Sequence, residues 1–139
     1  LLASYCQLKP ENLRYLGQFP KLQILNLDWT HLDASGAKHL ANCRHLEDLS
    51  VRGNVRFNDK CLDYIQSLKG LKRLELRGTS VSIAGVRKLK GIEFRELLLP
   101  AAMEENLAEV RRIFPKTFVL TEGERVLDKQ NKMLYAPLH

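Results

Sequence analysis

Apolar residues recur along this chain at two alternating spacings, and no other feature constrains the fold as tightly. In residues 71–91, LKRLELRGTSVSIAGVRKLKG, the strand-like pair Leu74 and Leu76 is followed by the helix-like pair Val86 and Leu89. A strand, a turn and a helix are therefore expected in that order. The switch recurs in units starting at residues 22, 46, 71, 94 and 115, with lengths of 24, 25, 23 and 21. One strand–helix unit cannot cover its own apolar face, so the units are expected to stack into a solenoid.

Stacking turns equivalent positions into ladders. The strand ladder is expected to run Leu25, Leu49, Leu74, Leu97, Phe118, and the next Leu27, Val51, Leu76, Leu99, Leu120. On the helices the ladders are Leu16, Leu40, Ile65, Leu89, Val110 and, three residues on, Phe19, Cys43, Leu68, Ile92, Ile113. Cys6, Thr30, Asn54 and Thr79 follow the strands with small groups that can bond turn backbone. Gly36 and Gly85 are read as letting the chain turn tightly into its helices, with Cys61 in that place in the longer unit.

The pattern LxxLxLxx(T/N)xhxxxGhxxLxxh, where h is apolar, resembles the leucine-rich repeat superfamily over nearly the whole chain. Thr30, Asn54 and Thr79, with Gly36-Ala37 and Gly85-Val86, are similar to the intracellular ribonuclease-inhibitor-like and F-box-associated types. The resemblance implies an α/β fold, a short right-handed solenoid with a parallel sheet on the concave face and helices on the convex face. The array is expected over 1–120, as a partial repeat 1–21, repeats 22–45, 46–70, 71–93 and 94–114, and a terminal strand 115–120. Residues 121–139 are read as a small β cap and tail. DKCLDYIQSLKGLKRL and ELLLPAAMEENLAEVRRIFP also resemble the repeat region of the mitochondrial ATP synthase subunit s (coupling factor B) family, while TEGERVLDKQNKMLY lies outside that resemblance.

Composition narrows the function classes. With 139 residues, 45% hydrophobic and 27% charged, the chain suits one globular domain. Its apolar runs, such as Leu97-Leu98-Leu99, are far shorter than a membrane-spanning helix requires, so no transmembrane segment is expected. Three cysteines without CxxC spacing argue against a disulfide framework or a zinc ribbon. A reducing, intracellular compartment is expected: cytoplasm, nucleus or mitochondrial matrix. A formal charge of +6 favours a partner with an acidic surface. Leu1 already stands on a core ladder, so an upstream segment or a partner is expected to cap the first unit.

No catalytic, cofactor or metal constellation emerges. ELRGTS lacks the Walker spacing and lysine. His39 and Cys43 are a helical turn apart, but Cys43 is expected inward and His39 outward, which argues against a metal site. Glu104, Glu105 and Glu109 suit the start of a helix through its dipole. Arg87, Lys88 and Lys90 are placed on the convex helices, and without interleaved aromatics or a nucleic-acid motif they disfavour nucleic acid as a partner.

The concave face is the expected binding surface. Its exposed positions are read as Ile24, Asp48, Arg73 and Glu96; then Leu2, Asn26, Ser50, Glu75 and Leu98; then Ser4, Asp28, Arg52 and Arg77. Tyr5 and Trp29 lie just beyond the strands, and Gly53 and Gly78 in the Trp29 column are expected to leave a groove beside it. Partner binding is assigned to Tyr5, Asn26, Asp28, Trp29, Arg52, Arg73, Glu75 and Arg77, since aromatic and arginine side chains dominate interface energetics. The expected function is a non-catalytic scaffold or adaptor in an intracellular complex. The alternatives are a mitochondrial assembly or coupling factor for a respiratory or ATP synthase complex, and a regulatory domain whose catalytic part lies upstream.

Overall fold

Strands form where the apolar residues alternate, and each lies beside the next. The computed structural model describes residues 9–122, in which β1 (Ile24–Asn26), β2 (Asp48–Ser50), β3 (Arg73–Glu75), β4 (Glu96–Leu99) and β5 (Phe118–Thr121) make one parallel sheet in chain order. Leu25 pairs with Leu49, Leu49 with Leu74 and Leu74 with Leu97, so the strand ladder is in register and fully buried. Consecutive parallel strands need a crossover, and a helix fills each one. These are α1 (Ala34–Ala37), continued by a 3-10 helix Lys38–Asn42, then α2 (Asp59–Ile65), α3 (Ile83–Arg87) and α4 (Leu107–Ile113), the last preceded by a 3-10 helix Ala101–Asn106. A further 3-10 helix, Pro10–Gln18, precedes β1.

The helix ladder Leu16, Leu40, Ile65, Leu89 and Val110 is buried throughout. The ladder three residues on holds only in its middle: Cys43, Leu68 and Ile92 are buried, whereas Phe19 is exposed and Ile113 half-buried. Phe19 ends its 3-10 helix with φ −115 and ψ 69, close to the −122 and 68 of buried Phe114, so its exposure does not come from its backbone angles. Ile113 loses its place to Phe114 because α4 closes differently. The Phe114 N–H donates to the Val110 carbonyl four residues back, whereas Cys43, Leu68 and Ile92 donate to carbonyls three residues back.

The strand that follows keeps the spacing of the earlier units: Val119 lies nine positions after Val110, as Leu49 does after Leu40 and Leu74 after Ile65, whereas Phe118 would need the eight positions that separate Leu97 from Leu89. Val119, not Phe118, pairs with Leu97, and Thr121, not Leu120, pairs with Leu99. Phe118 accordingly stands in the column of Ile24, Asp48, Arg73 and Glu96 and is 43% exposed. The register is held by Thr117, whose hydroxyl donates to the Phe94 carbonyl at 2.8 Å.

The glycines entering the helices answer to space rather than to backbone angle. Their φ values lie outside the left-handed region, but a Cβ on Gly85 would collide with the Asp59 carboxylate. That carboxylate accepts the Ser82 N–H at 2.7 Å, so the start of α3 is fastened to α2 of the preceding unit. Of the cap expected over 121–139, Thr121 belongs to β5 and residues 123–139 lie outside the described residues, as do Leu2, Ser4, Tyr5 and Cys6.

Candidate concave interaction surface

Short extended strands present alternate side chains to the concave face, and their charges are already ordered there. Arg73 on β3 reaches Asp48 at 3.2 Å on one side and Glu96 at 3.1 Å on the other, with Glu75 at 3.7 Å. Arg77 grips Glu75 with two nitrogens, at 2.9 Å from Nε and 2.6 Å from Nη2. Burial disfavours the Arg73 charge, but the three carboxylates outweigh it and raise its pKa. The pKa of Arg77 is raised chiefly by its hydrogen bond to Glu75, against an opposing cost of burial.

These contacts correct one expectation. The middle concave column was expected to be exposed, yet Ser50, Glu75 and Leu98 are buried, Glu75 to 2% exposure. The guanidiniums of Arg73 and Arg77 lie on Glu75, and Ser50 gives its hydroxyl to Asp28 at 2.5 Å. Glu75 therefore acts from beneath the surface by fixing the arginines.

Asp28 also accepts the Arg52 backbone N–H at 2.9 Å, and Asn26 Oδ1 accepts the Asp28 N–H at 2.9 Å. Both residues thus hold the strand exits of the first two units in shape. Asn26 and Arg52 are half-buried, and the Arg52 carbonyl takes the Trp29 N–H at 2.8 Å.

Trp29 stands at the rim beyond β1 in a left-handed conformation, φ +56. The equivalent places in the next two units are Gly53, φ +75, and Gly78, φ +71, as this turn favours glycine. A non-glycine residue there carries backbone strain, which concentrates at functional positions. A Cβ on Gly53 would fall among the indole atoms, so the expected groove is filled by the tryptophan itself, lying over Gly53 and 45% exposed. The structure thus gathers Asn26, Asp28, Trp29 and Arg52 at one exit and Arg73, Glu75 and Arg77 on the sheet beside it. It adds Asp48 and Glu96 as ion-pair partners, two acidic residues present in the exposed rows of the sequence but marked only by their register with Arg73.

Chemically the surface offers aromatic area and fixed charge, with no polarised nucleophile. Burial raises the pKa of the Cys43 and Cys61 thiols, which keeps them protonated and inert. Among the described residues no cluster of three His, Cys, Asp or Glu side chains is placed to hold a metal, and no helix is long and apolar enough to cross a membrane.

A solved leucine-rich repeat protein from Leptospira interrogans is similar to this chain, with a TM-score of 0.55 and 24% identity over 85% of its length. The chain has the leucine-rich repeat fold. It spans 29% of the length of the Leptospira protein. No protein-family model and no curated protein matches the sequence. Within this repeat fold, strands line the concave side and the αL turns after the first three strands form the rim that carries Trp29.

Proposed function

We propose that this leucine-rich repeat chain is a non-catalytic protein-interaction module that holds a partner protein against its concave strands, as a subunit or adaptor of an intracellular complex. The observation that carries the reading is Trp29: a half-exposed indole held in a strained left-handed turn where the adjacent units have glycine. Large rigid aromatics at a rim, beside arginines held in place, make effective anchors because little side-chain freedom remains to be lost on binding. The alternating Asp48, Arg73, Glu96 row favours a partner of matching mixed charge over a uniformly acidic one.

The test uses the partner captured by a photo-crosslinker placed on the concave face. Trp29→Ala and Arg77→Glu should each weaken its binding by more than about 1 kcal/mol. Arg87→Glu, on the convex side where Arg87 pairs with Glu109 at 2.6 Å, should leave binding unchanged. The opposite pattern, loss with Arg87→Glu and none with the other two, transfers the site to the helices.

A further inference from the structure

Where the helices return to the strands, a cavity of about 570 Å³ opens between residues 90–95 and 113–117. Phe94, Ile113 and Phe114 line it, the two rings meeting edge to face at 5.6 Å. The strand register accounts for the opening. Three residues before the buried strand ladder stand Leu46, Leu71 and Phe94, all buried, but the same place before Val119 is taken by Lys116. A flexible cation thus replaces the apolar residue that would continue this cover in the last unit.

The rim is basic and unneutralised. Lys90, Arg95 and Lys116 border the cavity, all are exposed, and among the described residues no carboxylate pairs with any of them. This contrasts with Lys72, Arg73, Arg77, Arg87 and Lys88, each matched to a carboxylate of this chain. Glu109, close to Lys90, is engaged by Arg87, which leaves Glu93 as the carboxylate lining the cavity.

We propose that this loop edge is a second docking site, taking an acidic peptide segment of a partner protein that carries a bulky apolar side chain. The apolar side chain enters between Ile113 and the two phenylalanines, and flanking carboxylates meet Lys90, Arg95 and Lys116. The volume lies in the range of pockets that bury small ligands, and three cations against one carboxylate supply the charge complementarity. Arg95 also borders Asp48, Arg73 and Glu96 of the concave face, but the apolar lining and Lys90 and Lys116 do not, and the assignment does not depend on the role of Trp29.

The probe is a fluorescein-labelled peptide, Asp-Glu-Asp-Leu-Phe-Asp-Glu-Asp, titrated with the full chain and followed by anisotropy. Saturable binding is expected, with amide shift changes in NMR confined to residues 90–95 and 113–117. Arg95→Glu with Lys116→Glu should weaken binding by at least about tenfold, as should Ala-Ala in place of Leu-Phe in the peptide. Arg77→Glu should have no effect, which separates this site from the concave one. Both reversed side chains are exposed, so the double variant should keep the native circular dichroism. Absence of saturable binding, undiminished binding by the double variant, or equal affinity for the Ala-Ala peptide overturns the proposal. Displacement of the peptide by phosphatidylserine vesicles or an oligothymidylate at equal charge concentration also overturns it, because it identifies a surface for anions at large.

Discussion

Asn54 takes its whole amide into the interior, where it is 1% exposed. Its oxygen accepts the Thr30 and Leu32 N–H groups at 3.1 and 2.8 Å, and its nitrogen donates to the Leu27 and Val51 carbonyls at 2.9 and 2.8 Å. A turn-forming residue was legible at this position from the sequence; that it would fasten two units together was not, because the partners lie more than twenty positions away. Asn54→Ala strands several buried backbone groups and should cost about 2–4 kcal/mol in urea unfolding. Asp33 caps α1, accepting from the Ser35 and Gly36 N–H groups at 3.0 and 3.2 Å. Its hydrogen bond to the Ser35 side chain, opposed by burial and aided by the two backbone donors, holds its pKa below the usual 3.8. A depressed carboxylate stabilises the fold above its ordinary value and loses that contribution as pH falls through the lower folded-state value. Asp33→Ala should therefore lose about 1 kcal/mol near neutral pH, and the gap to the parent chain should narrow on acidification below 3.8; a constant gap would mean the carboxylate charge is not involved.

At the scale of elements, the strand ladders and the buried helix ladder were readable because leucine spacing changes period wherever the chain changes element. Leu74 shows what that burial implies: it is fully buried in β3, with Leu49 and Leu97 paired on either side. Leu74→Ala should lose about 2–5 kcal/mol by chemical denaturation, and a loss under about 0.5 kcal/mol would contradict its place in the ladder. The last unit was misread by one position for a physical reason. FVLT offers two alternating faces, and Phe118 with Leu120 is more apolar than Val119 with Thr121, so hydrophobicity favours the wrong phase. The connection from helix ladder to strand ladder is eight positions long from Leu89 to Leu97 and nine from Ile65 to Leu74, and apolar spacing does not encode which length the last unit takes; it takes nine, from Val110 to Val119. Burial of Glu75 was hidden for a related reason: its acidic side chain reads as exposed until two arginines from neighbouring positions fold over it.

For the whole molecule, stacking distributes function by geometry: the parallel sheet gathers side chains distant in sequence onto one face, and the αL turns align at its rim. The rim residue Trp29 was legible as unusual from sequence, because its column otherwise holds glycine; its left-handed backbone and its seat over Gly53 required coordinates. Arg73 and Arg77, assigned to partner binding from the sequence, are already paired with carboxylates of this chain, whereas among the described residues Lys90, Arg95 and Lys116 at the loop edge are not. The chain contains a single tryptophan, so its emission reports on the concave rim alone. The most direct measurement is therefore the fluorescence of Trp29, with acrylamide quenching, as partner is added. The concave-face account predicts a blue shift and protection from the quencher that saturate together with binding. Saturable binding with emission and quenching unchanged would contradict it.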